Sequence, residues 1–125
     1  MEKRKILIVE DEPNNREVLQ LHLAALGYTV LEAADGEMAI KVLHSGDNMD
    51  QIGLIFCDIR MPKLNGVDSI DYFIKKAPKI PIVVITGYPD DELTDFLINK
   101  GVRELILKPV EKARLLKTVQ SIFCE

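Results

Sequence analysis

The feature that most constrains the fold is a fivefold alternation of short apolar runs with longer amphipathic segments. Most of the runs consist wholly of Ile, Leu, Val, Phe or Cys and lack the polar alternate residues of a half-exposed strand. This pattern is typical of strands that are covered on both faces in a parallel sheet. The five runs are Ile6 to Val9, Tyr28 to Leu31, Leu54 to Cys57, Ile82 to Ile85 and Leu105 to Leu107.

The segments between and after the runs have the apolar spacing of helices that bury one face. Gly27 and Gly101 follow the first and fourth of them, as glycines that end helices do. Residues 44–53 form a polar connector. The alternation predicts an α/β fold with a doubly wound five-stranded parallel sheet and five helices. The apolar residues of these helices are Val18, Leu21, Ala25 and Leu26; Ala39, Ile40, Val42 and Leu43; Val67, Ile70, Phe73 and Ile74; Leu93, Phe96 and Leu97; and Leu115, Leu116, Val119 and Ile122.

Length and composition indicate one globular domain. The chain has 125 residues, of which 47% are hydrophobic and 29% charged, an ordinary balance that can fill a core. A net charge of -4 provides no overall basic surface, so we expect no direct binding of nucleic acid. Two cysteines make a disulfide framework improbable, and no run is long enough for a signal peptide or a membrane span. These features predict a cytoplasmic protein.

Four of the five runs end on polar residues, whereas the second merely continues into Glu32, Ala33 and Ala34. Ligands of doubly wound sheets bind beyond the carboxyl ends of the strands, and these ends lie at one edge. Residues that are far apart in the sequence are therefore expected to meet there. They are Glu10, Asp11 and Glu12 after the first run, Asp58 after the third, Thr86 after the fourth, and Lys108 with Pro109 after the fifth.

Carboxylates gathered in this way repel one another, by on the order of 4 kcal/mol per pair at about 4 Å and an effective dielectric near 20. A hard divalent cation would offset this cost, and Mg²⁺ prefers oxygen ligands. Asp11 and Asp58 are predicted to bind the ion, with Glu10 holding a metal-bound water. Lys108 and Thr86 suit a phosphoryl group, which Asp58 is best placed to accept as an acyl phosphate.

Four motifs resemble the receiver domain of bacterial two-component response regulators. They are "ILIVEDE", "LIFCDIRMPKLNG", "IPIVVITGY" and "LILKPV", in order and at the right spacing over essentially the whole chain. The resemblance implies a flavodoxin-like sheet with strand order 2-1-3-4-5. We expect residues 1–125 to form a single receiver domain, similar to CheY, with no output domain in this chain.

The resemblance also implies roles for individual residues. Asp58 would accept a phosphoryl group from the phosphohistidine of a sensor histidine kinase or of a histidine phosphotransferase. Glu10 and Asp11 resemble the acidic pair that holds Mg²⁺, with Mn²⁺ as an alternative ion, and the backbone carbonyl of Arg60 is a further expected ligand. Lys108 resembles the phosphate-binding lysine of the family.

Further positions resemble those that transmit the signal. Thr86 looks like the switch hydroxyl, and the bond before Pro109 is a candidate cis peptide. Arg60 and Tyr88 resemble modulators of phosphoryl lifetime. Leu105 departs from the family, because many receivers carry Tyr or Phe there, and this argues against the usual coupling of the threonine to an aromatic ring.

Phosphorylation is expected to shift the face formed by the fourth predicted helix, the fifth strand and the fifth helix, residues about 90 to 123, and so to control a downstream protein. The phosphodonor is expected to dock on the start of the first helix, at Pro13, Asn14, Asn15 and Val18. The chain would be a monomer or a phosphorylation-linked dimer.

Three alternatives belong to other classes. A phosphohydrolase of the haloacid-dehalogenase type also uses a strand-end aspartate, but it needs an acid two residues later, where this chain has Arg60. A nucleotide- or flavin-binding module would need a glycine-rich loop, and no G-x-G-x-x-G or G-x-x-x-x-G-K-[ST] occurs. A receiver-like scaffold that is not phosphorylated has no need for Asp11, Asp58, Thr86 and Lys108 together. The sequence therefore favours a signalling switch over an enzyme with turnover.

Overall fold

The computed structural model describes residues 5–59, 64–87 and 90–123, without the side chains of residues 64–68. Strands and helices alternate along nearly the whole of this part of the chain. In chain order the elements are β1 (Lys5–Val9), α1 (Pro13–Ala25), β2 (Thr29–Ala33), α2 (Gly36–Leu43), α3 (Asn48–Gln51), β3 (Ile52–Ile59), α4 (Leu64–Lys76), β4 (Ile82–Thr86), α5 (Asp91–Lys100), β5 (Glu104–Leu107) and α6 (Lys112–Phe123).

The five strands form one parallel sheet in the order β2-β1-β3-β4-β5, which confirms the predicted fold and strand order. The chain leaves β1 for β2 at one edge of the sheet and then crosses to β3 on the other side of β1. The strand order therefore reverses between β1 and β3, and ligands of such sheets bind at this point.

Both faces of the sheet are buried, as the uninterrupted apolar runs indicate. On one face, α2, α4 and α5 pack against the strands through a cluster that includes Leu43, Phe73 and Leu97. On the other face, α1 and α6 pack through a cluster that includes Leu23 and Leu115. Alternate residues of each central strand belong to opposite clusters, so a strand has no solvent face that would interrupt its apolar run.

Short polar side chains and glycine define where several helices begin and end. Asp35 and Asp90 accept hydrogen bonds from the backbone N–H groups of Met38 and Leu93 at the starts of α2 and α5, at 2.8 and 3.1 Å. Gly101 ends α5 with a φ of +119°. Within the described part of the chain, no helix is both long enough and apolar enough to cross a bilayer.

The prediction of five helices was wrong, because the described chain contains six. The connector 44–53 includes the single turn α3, and β3 begins within it at Ile52. Asn48 holds this turn in place, since its amide donates to the Val42 carbonyl at 2.8 Å and accepts from Lys5 Nζ at 3.0 Å. A turn held by polar contacts has no apolar periodicity, so the sequence pattern does not reveal it.

Of the apolar stripe predicted for the first helix, Val18, Leu21 and Ala25 are exposed and only Leu26 packs against the core. Val18 and Leu21 are 49% and 58% exposed, whereas Leu19 and Leu23 are buried against the sheet. The helix carries two apolar stripes, and its rotation is decided by packing on β1 and β2 rather than by its own sequence. Val18 is thus available on the surface at the start of the helix.

A glycine is required at position 101, because L side chains rarely adopt its positive φ. We expect Gly101→Ala to lower the free energy of unfolding by at least about 1 kcal/mol. Asn99→Ala, at an exposed position of the same helix, should leave stability unchanged or raise it. Urea denaturation of both variants measures the difference, and equal stabilities would contradict the assignment of a strained backbone.

Candidate functional site

The pairing of the two central strands places two acidic residues side by side. Val9 of β1 pairs with Cys57 of β3, so Glu10 and Asp58, which come directly after them, are neighbours. Both are held at the carboxyl edge of the sheet by strands whose apolar residues are buried. The acidic residues therefore stand where the strand order reverses.

The neighbouring strand pair brings the other two predicted groups to the same edge. Thr86, at the end of β4, is fully buried and pairs with Ile59 on one side and Leu107 on the other. The Lys108 N–H donates to the Thr86 carbonyl oxygen at 2.8 Å. The peptide bond between Lys108 and Pro109 is cis, as the resemblance led us to expect.

Three carboxyl groups meet at this edge. Oxygens of Glu10, Asp11 and Asp58 all lie within 4.8 Å of one another. The side chains of Glu10 and Asp58 are only 1% and 2% exposed, whereas Asp11 is exposed. This places two carboxyl groups inside the protein and one at the mouth of the site.

Lys108 supplies the nearest positive charge. Its Nζ donates to Asp58 Oδ2 at 2.8 Å and lies 3.7 Å from Glu10 Oε1. The lysine side chain is 27% exposed, so it reaches from solvent over the buried acids. One cation close to three carboxyl groups leaves the site with an excess of negative charge.

The protonation of Glu10 reflects both its burial and this charge. Burial first, and then the neighbouring Asp58, raise the pKa of its carboxyl from the ordinary 4.5 to about 7. The Glu12 N–H, which donates to Glu10 Oε2 at 3.0 Å, and the Lys108 charge oppose this rise in pKa only in part. Near neutral pH the site therefore holds a proton readily when nothing else neutralises its charge.

The donor set fits a hard cation. Within the described part of the chain, two buried side-chain oxygens have no hydrogen-bond partner, Glu10 Oε1 and Asp58 Oδ1. Buried polar atoms are normally satisfied, so oxygens left over in one carboxylate cluster indicate a missing partner. Mg²⁺ prefers carboxylate oxygens with water in its remaining positions, and the exposed Asp11 leaves room for water.

The remaining predicted residues are Leu105, Arg60 and Tyr88. Leu105 is partly buried and packs against the core cluster that contains Leu97 of α5. It therefore packs on the face of the sheet that α2, α4 and α5 cover. Arg60 and Tyr88 lie outside the described residues.

Two features of the site were missed in the sequence. A cleft of about 410 Å³ runs from Glu10 and Lys108 outward to Val18. Its lining comes from separate segments, so no local pattern could reveal it. Arg16 donates from Nη1 to the Glu10 carbonyl oxygen at 2.8 Å. An arginine on the first helix, close after the acids, is the available signal, but the sequence does not distinguish it from an ordinary surface charge.

The raised pKa of Glu10 predicts how metal-free stability depends on pH. Between about pH 4.5 and 7 the folded state binds this proton more tightly than the unfolded chain, so the free energy of unfolding should fall as the pH rises. Glu10→Gln removes the titrating group. In EDTA its stability relative to wild type should therefore improve progressively from about pH 5 to about pH 8.

Chemical denaturation across this pH range measures the effect. Glu111→Gln makes the same change at an exposed position outside the acidic cluster and serves as the control. A difference between Glu10→Gln and wild type that is the same at every pH would contradict the prediction.

Comparison with known proteins agrees with this geometry. The family model of the response regulator receiver domain matches residues 6–120. A "Probable transcriptional regulator ycf27" from Cyanidium caldarium is 37% identical over 119 residues, which are 94% of this chain and 45% of that protein. The chain thus spans about half the length of curated relatives that it matches.

Solved structures agree as well. A response regulator receiver protein from Pseudomonas putida has a TM-score of 0.85 at 31% identity, covering 97% of this chain and 98% of that one. The chemotaxis protein CheY4 of Vibrio cholerae has a TM-score of 0.84 at 26% identity, covering 94% and 97%. The expectation that residues 1–125 are one receiver domain without an output domain stays a prediction. The chain belongs to the response regulator receiver domain family.

Proposed function

We propose that this chain is a phosphorylation-activated switch of a two-component or phosphorelay system. Asp58 accepts a phosphoryl group from the phosphohistidine of a histidine kinase or a histidine phosphotransferase. The phosphorylated state then shifts the face formed by α5, β5 and α6 and so controls a downstream protein. The chain does not turn over a substrate beyond its own phosphorylation and dephosphorylation.

One observation carries this proposal. The buried Asp58 carboxylate lies in an acidic cluster and also accepts a hydrogen bond from Lys108 at 2.8 Å. Acids alone are sufficient for a cation site, and a lysine alone is sufficient for an ion pair. Their convergence on one carboxylate at the end of a central strand suits the transfer of a phosphoryl group, whose oxygens need cationic partners.

The acidic residues would hold a divalent cation. Glu10, Asp11 and Asp58 supply the carboxylates, and the Arg60 carbonyl is the further ligand that we predict. When bound, Mg²⁺ supplies positive charge that offsets the repulsion among these carboxylates and the phosphoryl oxygens. Mn²⁺ has the same ligand preference and is the alternative ion.

The chain's own groups account for the transfer. An Asp58 oxygen attacks phosphorus, the new P–O bond forms as the P–N bond to the donor imidazole breaks, and the imidazole keeps the electron pair. Lys108 stays close to the acceptor and binds a phosphoryl oxygen. The Thr86 hydroxyl, at the end of the adjacent strand, reorients toward the phosphoryl group.

The signal leaves through α5, β5 and α6. Phe96 on α5 and Leu107 on β5 are 46% and 48% exposed, which provides apolar surface for a partner. Leu107 pairs directly with Thr86, and Leu105 packs against the cluster that contains Leu97. We infer that aliphatic repacking around Leu105 takes the role that an aromatic side chain has in many receivers.

The phosphodonor docks beside the site. The start of α1, with Pro13, Asn14, Asn15 and Val18, is exposed. Asn15 and Val18 also line the 410 Å³ cleft that leads to Lys108. A donor helix that covers this region would bring its histidine to the cleft.

The first test is the intact mass of the protein after incubation with Mg²⁺ and acetyl phosphate. Wild type should gain one phosphoryl group, and Asp58→Asn should gain none because the nucleophilic oxygen is lost. Asp71→Asn is the matched control, since Asp71 also accepts from a lysine, Lys100 at 2.6 Å, but lies on α4. It should be phosphorylated like wild type.

The other outcomes distinguish the alternatives. Wild type that gains no mass, even with a histidine kinase as donor, would favour the scaffold. Sustained phosphate release far above the decay of the acyl phosphate would favour the phosphohydrolase.

A second test concerns the repulsion among the acids. Asp11→Asn should raise the free energy of unfolding in EDTA and weaken Mg²⁺ binding by at least about tenfold, or ~1.4 kcal/mol. At about 100 times its Kd, Mg²⁺ should stabilise wild type by ~2.7 kcal/mol and the variant by much less. Thermal melts with and without Mg²⁺ measure both effects. A variant that is less stable than wild type in EDTA would contradict the proposed repulsion.

A further inference from the structure

Arg16 connects three parts of the fold at the edge of the acidic cluster. From the first turns of α1, its Nη1 donates to the Glu10 carbonyl oxygen at 2.8 Å, and its Nε donates to Glu32 Oε1 of β2 at 3.2 Å. The arginine side chain is 23% exposed, and that of Glu32 is 42% exposed. The guanidinium thus joins the strand end of β1 to a helix and to the neighbouring strand.

The contact with the Glu10 carbonyl acts on a particular peptide plane. Because a peptide unit is planar, the Glu10 carbonyl and the Asp11 N–H rotate together. The Glu10 N–H is already held by the Ala33 carbonyl at 3.0 Å, and Glu10 Oε2 accepts from the Glu12 N–H at 3.0 Å. The hydrogen bond from Arg16 restrains the orientation of the Glu10–Asp11 peptide plane, which leads into Asp11, the exposed member of the cluster.

We propose that Arg16 is a positioning residue of the cation site: it fixes the Glu10–Asp11 peptide so that the Asp11 carboxylate is held near Asp58 before the ion binds. This inference rests on the proposed function, in which these acids hold Mg²⁺. Arg16 acts through the backbone and does not contact the ion. Preorganised ligands bind a metal more tightly because less ordering is required on binding.

The sign of the effect separates positioning from simple electrostatics. A positive charge near the site repels Mg²⁺, so removing the charge would strengthen binding if Coulomb interaction were the only effect. Loss of positioning weakens binding instead. Lysine at the same position preserves the charge, but its single ammonium cannot reproduce the two directed contacts of the guanidinium.

The test is calorimetric titration of Mg²⁺ into the whole chain, with wild type, Arg16→Met and Arg16→Lys. Arg16→Met should weaken binding about tenfold, a loss typical of groups that orient metal ligands. Arg16→Lys should also bind more weakly than wild type. Arg114→Met is the matched control, because Arg114 pairs with Glu104 between α6 and β5 at 2.6 Å, and its Mg²⁺ affinity should equal that of wild type.

A second readout needs no metal. Amide hydrogen exchange in EDTA should be faster at Asp11 and Glu12 in Arg16→Met than in wild type, and unchanged there in Arg114→Met. A protein that is only destabilised would instead exchange faster throughout.

The outcomes separate this inference from the function on which it rests. Wild type that does not bind Mg²⁺ would overturn both. Wild type that binds Mg²⁺, with either Arg16 variant binding as tightly or more tightly, would overturn the positioning role alone and leave the proposed switch intact.

Discussion

The pairing of β1 with β3 is the constraint on which the site depends. It holds Glu10 and Asp58 side by side, both almost fully buried, at the point where the strand order reverses. Two carboxyl groups in such a position repel each other and are poorly solvated. The fold tolerates them because the burial of apolar side chains on both faces of the sheet offsets the destabilisation that the two acids cause.

The site is left incompletely neutralised. Lys108 offsets part of the negative charge, while burial and the neighbouring Asp58 raise the pKa of Glu10. Apolar residues, or one acid instead of a cluster, would make these strand ends more stable. Buried oxygens without hydrogen-bond partners lower the stability of the fold. Such a loss of stability is common at functional sites, and here it is consistent with the binding of a cation and a phosphoryl group.

Much of this arrangement follows from local sequence. Uninterrupted apolar runs such as Leu54–Cys57 indicated a sheet covered on both faces, and the polar residues after them indicated one shared edge. Helical details were less accessible. Val18 and Leu21 are spaced as residues on one helix face are, and so are Leu19 and Leu23, but only the second pair is buried. The turn α3 depends on polar contacts of Asn48 with distant residues, which leave no periodic signal.

The sequence by itself determined the class of fold, the residues that gather at the strand ends and the family to which they belong, because strand period and strand-end chemistry are local properties. Tertiary structure decided which stripe of α1 is buried, how deeply Glu10 lies and which carbonyl Arg16 holds. These depend on the rotation of a helix, on desolvation and on contacts between β1, β2 and α1. They arise only when separate segments pack together, so no single stretch of sequence contains them.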